Sequence, residues 1–366
     1  MGLRVSWQAM GIENRFLLNF AASYSEGGYK RLEAYARWFN SRGGAWFAIH
    51  PRCSHLLTEF PNNRYFPVES SRLGRLFDDW GYLQAIGRTI GRPELYYSYG
   101  IPLYLRFGRV NWFHLSNVLP LGSRNIPLSL ADQLKFRLLG QRIRRGFALA
   151  DVISAESRYS LGLVAGSGCP NLCLSVNGSD DELQSMRGLD AQPKDNIAVV
   201  LGTYRYKALE ESWRVYQQLR ATNRGLKLVI IGSEKFIPRK LCRDPQVIVR
   251  GVLERSEVND ALRKARFYIS TTYAENSYNA ASEAIFLADE SYVSDIGPHR
   301  ELLATSRFQR VCVAGVGRPL LYTRRSELSS TVLKSWDCVV TEMTATARSA
   351  LQSHWPADEA LQSTST

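Results

Sequence analysis

Thr271–Asp295 reads TTYAENSYNAASEAIFLADESYVSD, and this stretch decides the fold. Its first residues finish an apolar, β-branched run, ARFYISTTY, which has the composition of a buried strand. From Asn276 to about Leu287 the composition becomes Ala-rich, as in a helix. SYVSD then reads as the next strand. A strand that feeds a helix and returns as a strand is the unit of a parallel, doubly wound sheet, and such sheets hold ligands at the carboxyl ends of their strands. Glu275 therefore falls at a strand end, with Glu283 about two helical turns beyond it. One reading is a helix-start carboxylate favoured by the macrodipole plus an exposed glutamate. The other is a ligand site: a carboxylate for hydroxyls, the amides of Asn276, Ser277, Tyr278 and Asn279 at a helix N-terminus for phosphates, and a second carboxylate for further hydroxyls.

Working outward, the second half repeats the pattern. NIAVVLGTY, LKLVIIGS and PQVIVRGV read as strands, KALEESWRVYQQLRATN as a helix, and EVNDALRKA as a helix capped by Ser256. The first half also alternates. RFLLNFAA (15–22), GAWFAIHP (44–51), NRYFPV, ELYYSYG, RVNWFHLSN, DVISAES and NLCLSVN are strand-like. YKRLEAYARWFNS is an amphipathic helix, and SLADQLKFRLLGQRIRRGFALA (129–150) is a helix with a Ser-x-x-Asp start signal. The polar stretch 178–196 is the best boundary. The expected organisation is an α/β fold of two Rossmann-like, doubly wound domains, 1–178 and 179–340, facing across a cleft. A C-terminal helix or tail, 341–366, is expected to pack back on the first domain.

The 366 residues are 45% hydrophobic and 11% aromatic, enough for two real cores, so wholesale disorder is excluded. The formal charge of +12 is either ordinary solubility or a preference for anionic partners. The cysteines at 53, 169, 173, 242, 312 and 338 contain one close pair, Cys169 and Cys173, with no matching second pair and no nearby histidine. That is a poor zinc or redox motif and favours reduced thiols in a cytoplasmic chain. MGLRVSWQAMGIENRFLLNFAA lacks the layout of a secretory leader, and no window approaches a membrane span. A soluble or membrane-peripheral protein is expected.

Three further features fall at strand ends. Gly27 and Gly28, in SEGGYK, separate the first strand from its helix; they are either a tight turn or a place where backbone amides approach an anion. Arg205 and Lys207, in LGTYRYK, put two cations where the macrodipole is already positive; they are either two solvated charges or a pair whose conflict with the helix a bound anion would remove. His114, in NWFHLSN, is either a satisfied structural residue or a group beside the cleft. On the helix from 129, Lys135, Arg137, Arg142, Arg144 and Arg145 interleave with Phe136, Leu138, Leu139, Ile143 and Phe147. This is the composition of a segment lying on an anionic membrane surface, and equally of a core-packed helix with a solvated basic face.

These features together resemble family 4 glycosyltransferases, retaining enzymes of the GT-B architecture. The resemblance is strongest over about 197–301, through GTYRYK, LKLVIIGS, VIVRGVLERSEVNDALRKARFYISTTY and the E-x7-E element ENSYNAASE. It is weaker over 15–178, through SEGG, WFHLSN and ALADVISAES. The resemblance implies that Glu275 contacts the hydroxyls of a donor sugar and Glu283 the ribose, while Arg205, Lys207 and the amides of Asn276–Asn279 neutralise the diphosphate. It implies that Gly27 and Gly28 lie under those phosphates and that His114 stands near the reacting sugar. No D-x-D metal site is present, so no metal or other cofactor is expected. Where the family has EGFG, this chain has ENSYN.

The expected function is retaining transfer of a sugar from a UDP- or GDP-linked donor to a glycan or lipid-linked acceptor in surface polysaccharide or lipopolysaccharide assembly. A nucleotide-sugar epimerase on a similar scaffold is the enzymatic alternative, and a catalytically silent version of the fold is another. A basic nucleic-acid-binding protein ranks last, because neither a zinc-finger spacing nor an RNP-type segment is present; no nucleic-acid partner is expected.

Overall fold

The computed structural model describes residues 15–24, 26–68, 80–122, 126–179, 183, 186, 194–329 and 333–353. The first sheet contains β1 (Phe16–Phe20), β2 (Trp46–Ile49), β3 (Arg64–Pro67), β4 (Leu95–Tyr99), β5 (Val110–Leu115), β6 (Val152–Ala155) and β7 (Asn171–Leu174). Their order is 3-2-1-4-5-6-7, and every pair is parallel. Strands β1, β4, β5 and β6 are buried along their whole length, which is why they read as continuous apolar runs rather than alternating ones. Phe16, Leu18 and Phe20 enter one core, and Leu17 and Ala21 enter the core on the other face.

The second sheet contains β8 (Asp195–Leu201), β9 (Lys227–Ile231), β10 (Val247–Val249), β11 (Ala265–Ser270), β12 (Glu290–Ser294), β13 (Gln309–Val311) and β14 (Leu320–Arg324). The order is 10-9-8-11-12-14-13; β10 to β12 are parallel, and β14 and β13 add an antiparallel edge. The sequence reading had no strands at β13 and β14. These edge segments are rich in arginine, and only Leu320, Leu321 and Thr323 of β14 are buried.

Two helix starts differ from expectation. The helix Arg255–Lys264 has Ser256 inside its first turn, and its entry is set by the Glu254 backbone N–H donating to Glu257 Oε2 at 3.1 Å. The helix after β11 begins at Asn279, so Asn276, Ser277 and Tyr278 precede it and Glu283 lies about one turn inside. The Ser129 start signal holds, with the Asp132 N–H donating to Ser129 Oγ at 3.2 Å.

The helix Trp336–Ser353 returns to the first sheet. Val340, Met343, Ala347, Ala350 and Leu351 join the core that contains Phe16 and Phe20. The two segments that cross between the sheets run side by side, with the Ser179 N–H donating to Lys334 O at 2.7 Å. Gly178 has no side chain because a Cβ there would stand 2.6 Å from the Trp336 ring. The tail LQSTST and most of 178–196 lie outside the described residues; Leu183 from that stretch is buried in the second core.

Candidate active site

In the second sheet the strand order reverses between β8 and β11, so the loops after these two neighbours share one crevice. The short turn Arg205–Lys207 follows β8, and the loop 271–278 follows β11. They are laced together: the Tyr273 N–H and the Thr272 hydroxyl both donate to Tyr206 O, at 2.7 and 3.2 Å. The Thr271 hydroxyl donates to Ala208 O at 2.9 Å. Ala208 itself has φ of 50°, a left-handed conformation that costs a non-glycine residue about 1–2 kcal/mol. These ties bring the Lys207 ammonium 2.6 Å from Glu275 Oε1. Burial pulls the Lys207 pKa down, but the adjacent Glu275 carboxylate more than offsets it and holds the group above its ordinary value. His299 is wholly buried close enough to feel both charges. Its Nδ1–H donates to Ser294 O at 2.8 Å, and its Nε2 has no partner among the described residues. Burial lowers the His299 pKa, with the Glu275 carboxylate opposing, so the ring is neutral at pH 7.

Glu283 is not an exposed glutamate. Its carboxylate is held across the cleft by Lys30 of the first domain, at 3.1 Å to Oε1 and 3.0 Å to Oε2, and by Arg255 Nη2 at 3.4 Å to Oε1. Gly27 and Gly28 do not separate β1 from its helix but lie within the first turn of the helix Glu26–Asn40, and Lys30 follows that turn, two residues after Gly28. A Cβ at Gly27 would lie 3.5 Å from Asn279 Nδ2, so the first-domain glycine turn faces the start of the helix that carries Glu283. At Gly28 a Cβ would stand 3.2 Å from Ser23 and 3.4 Å from the Tyr99 ring.

Asn276 stitches the loop to the first domain. Its Nδ2 donates to Glu156 Oε2 at 2.7 Å and to Leu115 O at 3.0 Å. The hydroxyls of Ser157 and Ser160 donate to its main-chain oxygen at 2.9 and 2.7 Å. The Asn276 backbone is therefore committed to this junction and its amide does not open a helix. Ser277 Oγ accepts from Asn177 Nδ2 at 3.0 Å, and Glu301 accepts the N–H groups of Arg158 and Tyr159 at 2.7 and 2.6 Å.

His114 lies behind this junction. Its ring has no exposed surface and stacks on Tyr99, 5.0 Å between centroids. The hydrogen bonds have one consistent direction: Trp112 Nε1–H to Ser154 Oγ at 2.7 Å, Ser154 O–H to His114 Nδ1 at 2.7 Å, and His114 Nε2–H to Glu156 Oε1 at 3.3 Å. Burial, with help from the Arg31 charge, lowers the His114 pKa to about 4 against the pull of Glu156. Burial works to raise the Glu156 pKa, but the His114 hydrogen bond and the Arg31 charge leave it below the ordinary range. Arg31 is itself wholly buried and donates to Ser175 O and Val176 O at 2.9 and 3.0 Å, gripping the segment that leaves the first domain. The expected place of His114 beside the cleft thus becomes a place one layer beneath it, because its side chain points among Tyr97, Tyr99 and Glu156.

The structure brings Lys207 to Glu275 and the Gly27–Gly28 turn to the start of the Glu283 helix. It does not bring Arg205 to Lys207: Arg205 lines a separate depression of about 350 Å³ with Tyr204, Phe236, Glu211 and Pro127. Lys30, Arg255, Glu156, His299 and Glu301 escaped sequence reasoning, and Asn276 was read for its backbone amide rather than for the side chain that joins the domains. The departure of ENSYN from EGFG was the one signal that pointed toward any of them. Among the described residues no group of three or more His, Cys, Asp or Glu side chains is placed to hold a metal ion.

Two Rossmann-like domains whose strand ends face each other across a cleft define the GT-B architecture. No protein-family model matches the sequence, and no curated protein sequence matches it. Solved structures are similar to it in fold. HepE of Anabaena, solved with UDP and glucose, is similar at TM-score 0.55 and 14% identity, over 92% of this chain and 93% of that one. Sucrose-phosphate synthase of Thermosynechococcus elongatus is similar at TM-score 0.61 and 11% identity, over 95% and 96%. A Listeria monocytogenes protein assigned as a UDP-N-acetylglucosamine 2-epimerase is similar at TM-score 0.50 and 9% identity, over 79% and 81%.

Proposed function

We propose that the chain is a retaining glycosyltransferase that moves a sugar from a UDP- or GDP-linked donor to a glycan or lipid-linked acceptor in surface polysaccharide assembly. The observation that carries this reading is the Lys207–Glu275 pair, built at the sheet's reversal point on the loop that Asn276 ties to the first domain. An ammonium 2.6 Å from a carboxylate is a pair that a diphosphate-sugar can part, the phosphate taking the lysine and the sugar hydroxyls the glutamate. In this scheme the anomeric C–O bond to the diphosphate breaks with Lys207 stabilising the leaving charge. The acceptor oxygen bonds on the same face, and its proton passes to the leaving phosphate oxygen. Glu283 receives the ribose diol, and Gly27 and Gly28 leave room for the phosphates. His114, enclosed as it is, acts through Glu156 and Asn276 as a positioning residue. The scheme requires no metal.

The helix Leu130–Phe147 gives this function a surface. Phe136, Ile143 and Phe147 are buried, but Leu130, Leu134 and Leu138 form an exposed ridge at four-residue spacing, 83%, 61% and 40% exposed. Basic side chains flank it, as suits an anionic lipid surface carrying a lipid-linked acceptor. Among the described residues no helix is long and apolar enough to cross a membrane.

Calorimetric titration with UDP, GDP, ADP and CDP tests the donor site. Saturable binding of one of them, weakened at least tenfold by Lys207→Ala, is expected. Glu275→Ala is expected to abolish turnover in a folded protein. Binding of none of the four would end the reading. The likeness to the Listeria protein supports one alternative, an epimerase, and that alternative is distinguished by release of an altered nucleotide sugar without any acceptor.

A further inference from the structure

We infer that Lys30 is a ligand of the donor's diphosphate, supplied by the first domain and held by Glu283 until the donor arrives; this rests on the donor-site reading above. Lys30 donates to both oxygens of Glu283 and Arg255 donates to one of them, so a diol donating two hydrogen bonds to that carboxylate competes with the lysine for it. The lysine is the partner that can leave. Glu283 retains Arg255, a cation of its own domain, so departure of Lys30 does not strand a buried charge. Lys30 is also the more exposed member, 24% against 8% for Glu283, and its four-carbon stem can swing.

The destination follows from placement and charge. Lys30 follows directly on the first turn of its helix, whose N-terminal amides favour an anion beside them. The Gly27–Gly28 turn that precedes it borders the same gap from which the Glu283 helix starts. Lys30, Lys207 and Arg255 face Glu275 and Glu283, so positive charge is in excess before any ligand enters. A nucleoside diphosphate fits this exchange, with hydroxyls replacing Lys30 on Glu283 and phosphate oxygens receiving the freed ammonium. A phosphate-free nucleoside opens the same ion pair without offering the lysine a new partner.

The test compares two probes on the full chain by calorimetry: the nucleoside diphosphate that binds best among UDP, GDP, ADP and CDP, and its nucleoside. Lys30→Met is expected to weaken the diphosphate about ten- to a hundredfold, the range of one charge-assisted hydrogen bond, and to leave the nucleoside unchanged or tighter. Lys30→Arg, which keeps the charge, is expected to hold diphosphate affinity within a few-fold and serves if the Met variant does not fold. Tighter binding of both probes to Lys30→Met would make the lysine only a latch. Equal weakening of both would make it only a support for the closed cleft, and no change in either would give it no role; each result overturns the inference. Wild-type protein that binds none of the four nucleotides overturns the donor-site reading first, and this inference with it.

Discussion

Replacing Asn276 with alanine should loosen the reaction loop from the first domain. The substitution removes an amide hydrogen bond to an ionised carboxylate, Glu156 at 2.7 Å, and another to a main-chain carbonyl, Leu115 at 3.0 Å. Bonds to charged groups contribute about 1.5–3 kcal/mol and neutral ones about 0.5–1.5. The two bonds from Ser157 and Ser160 reach the main chain and survive the change. Glu156 keeps His114, Tyr99 and Arg31, so its charge is not abandoned. The expected loss is therefore about 2–4 kcal/mol, confined to arrangements in which the two domains meet as described. Amide hydrogen exchange over 271–278 measures this directly, and exchange there should accelerate about thirty- to a thousandfold while β1 and β4 keep their protection. The catalytic efficiency of sugar transfer should fall by a similar factor, because Glu275 is the next residue in the chain. Unchanged exchange over 271–278 would refute the idea that Asn276 holds the loop.

Two other outcomes are expected. His114 is neutral when folded with its pKa near 4, whereas the unfolded chain takes up the proton near 6.5, so protons favour unfolding and stability present above pH 6.5 drains as pH falls toward 4. At pH 5 the loss from this residue is about 2 kcal/mol; denaturant titrations of wild type and His114→Gln should show it as a difference in pH slope, and parallel slopes would refute it. On the surface, Leu134→Glu combined with Leu138→Glu should reduce sedimentation with anionic phospholipid vesicles at least tenfold without shifting the unfolding temperature; undiminished sedimentation would remove the leucine ridge from any membrane contact.

The fold was legible because burial on both faces writes strands as plain apolar runs. RFLLNF and LKLVII needed no context, and the alternation of strand and helix fixed the parallel order. Lys207 and Glu275 were legible for the same reason, since each follows a strand and the reversal of order makes those strands neighbours. What stayed hidden spans the cleft. Lys30 meets Glu283 across 253 positions and Asn276 meets Glu156 across 120, and no local period encodes such pairs. His114 was placed on its strand, but alternation along a strand buried on both faces does not say which side opens to the cleft. The helix after β11 looked longer than it is because Asn276–Tyr278 run straight into its Ala-rich segment, while the hydrogen bonds of Asn276 and of Ser277 Oγ reach the first domain.

The return of Trp336–Ser353 to the first sheet has a consequence for how the protein is made. Val340, Met343 and Ala347 fill a core otherwise built from residues before 153. The first domain therefore leaves the ribosome with an apolar face uncovered and cannot complete itself until almost the whole second domain has been synthesised. During that interval the nascent chain is exposed to chaperones and to aggregation. A premature stop shortly before 336 would yield an intact second domain attached to an unfinished partner, so quality control at the first domain reports on whether translation passed the helix Trp336–Ser353.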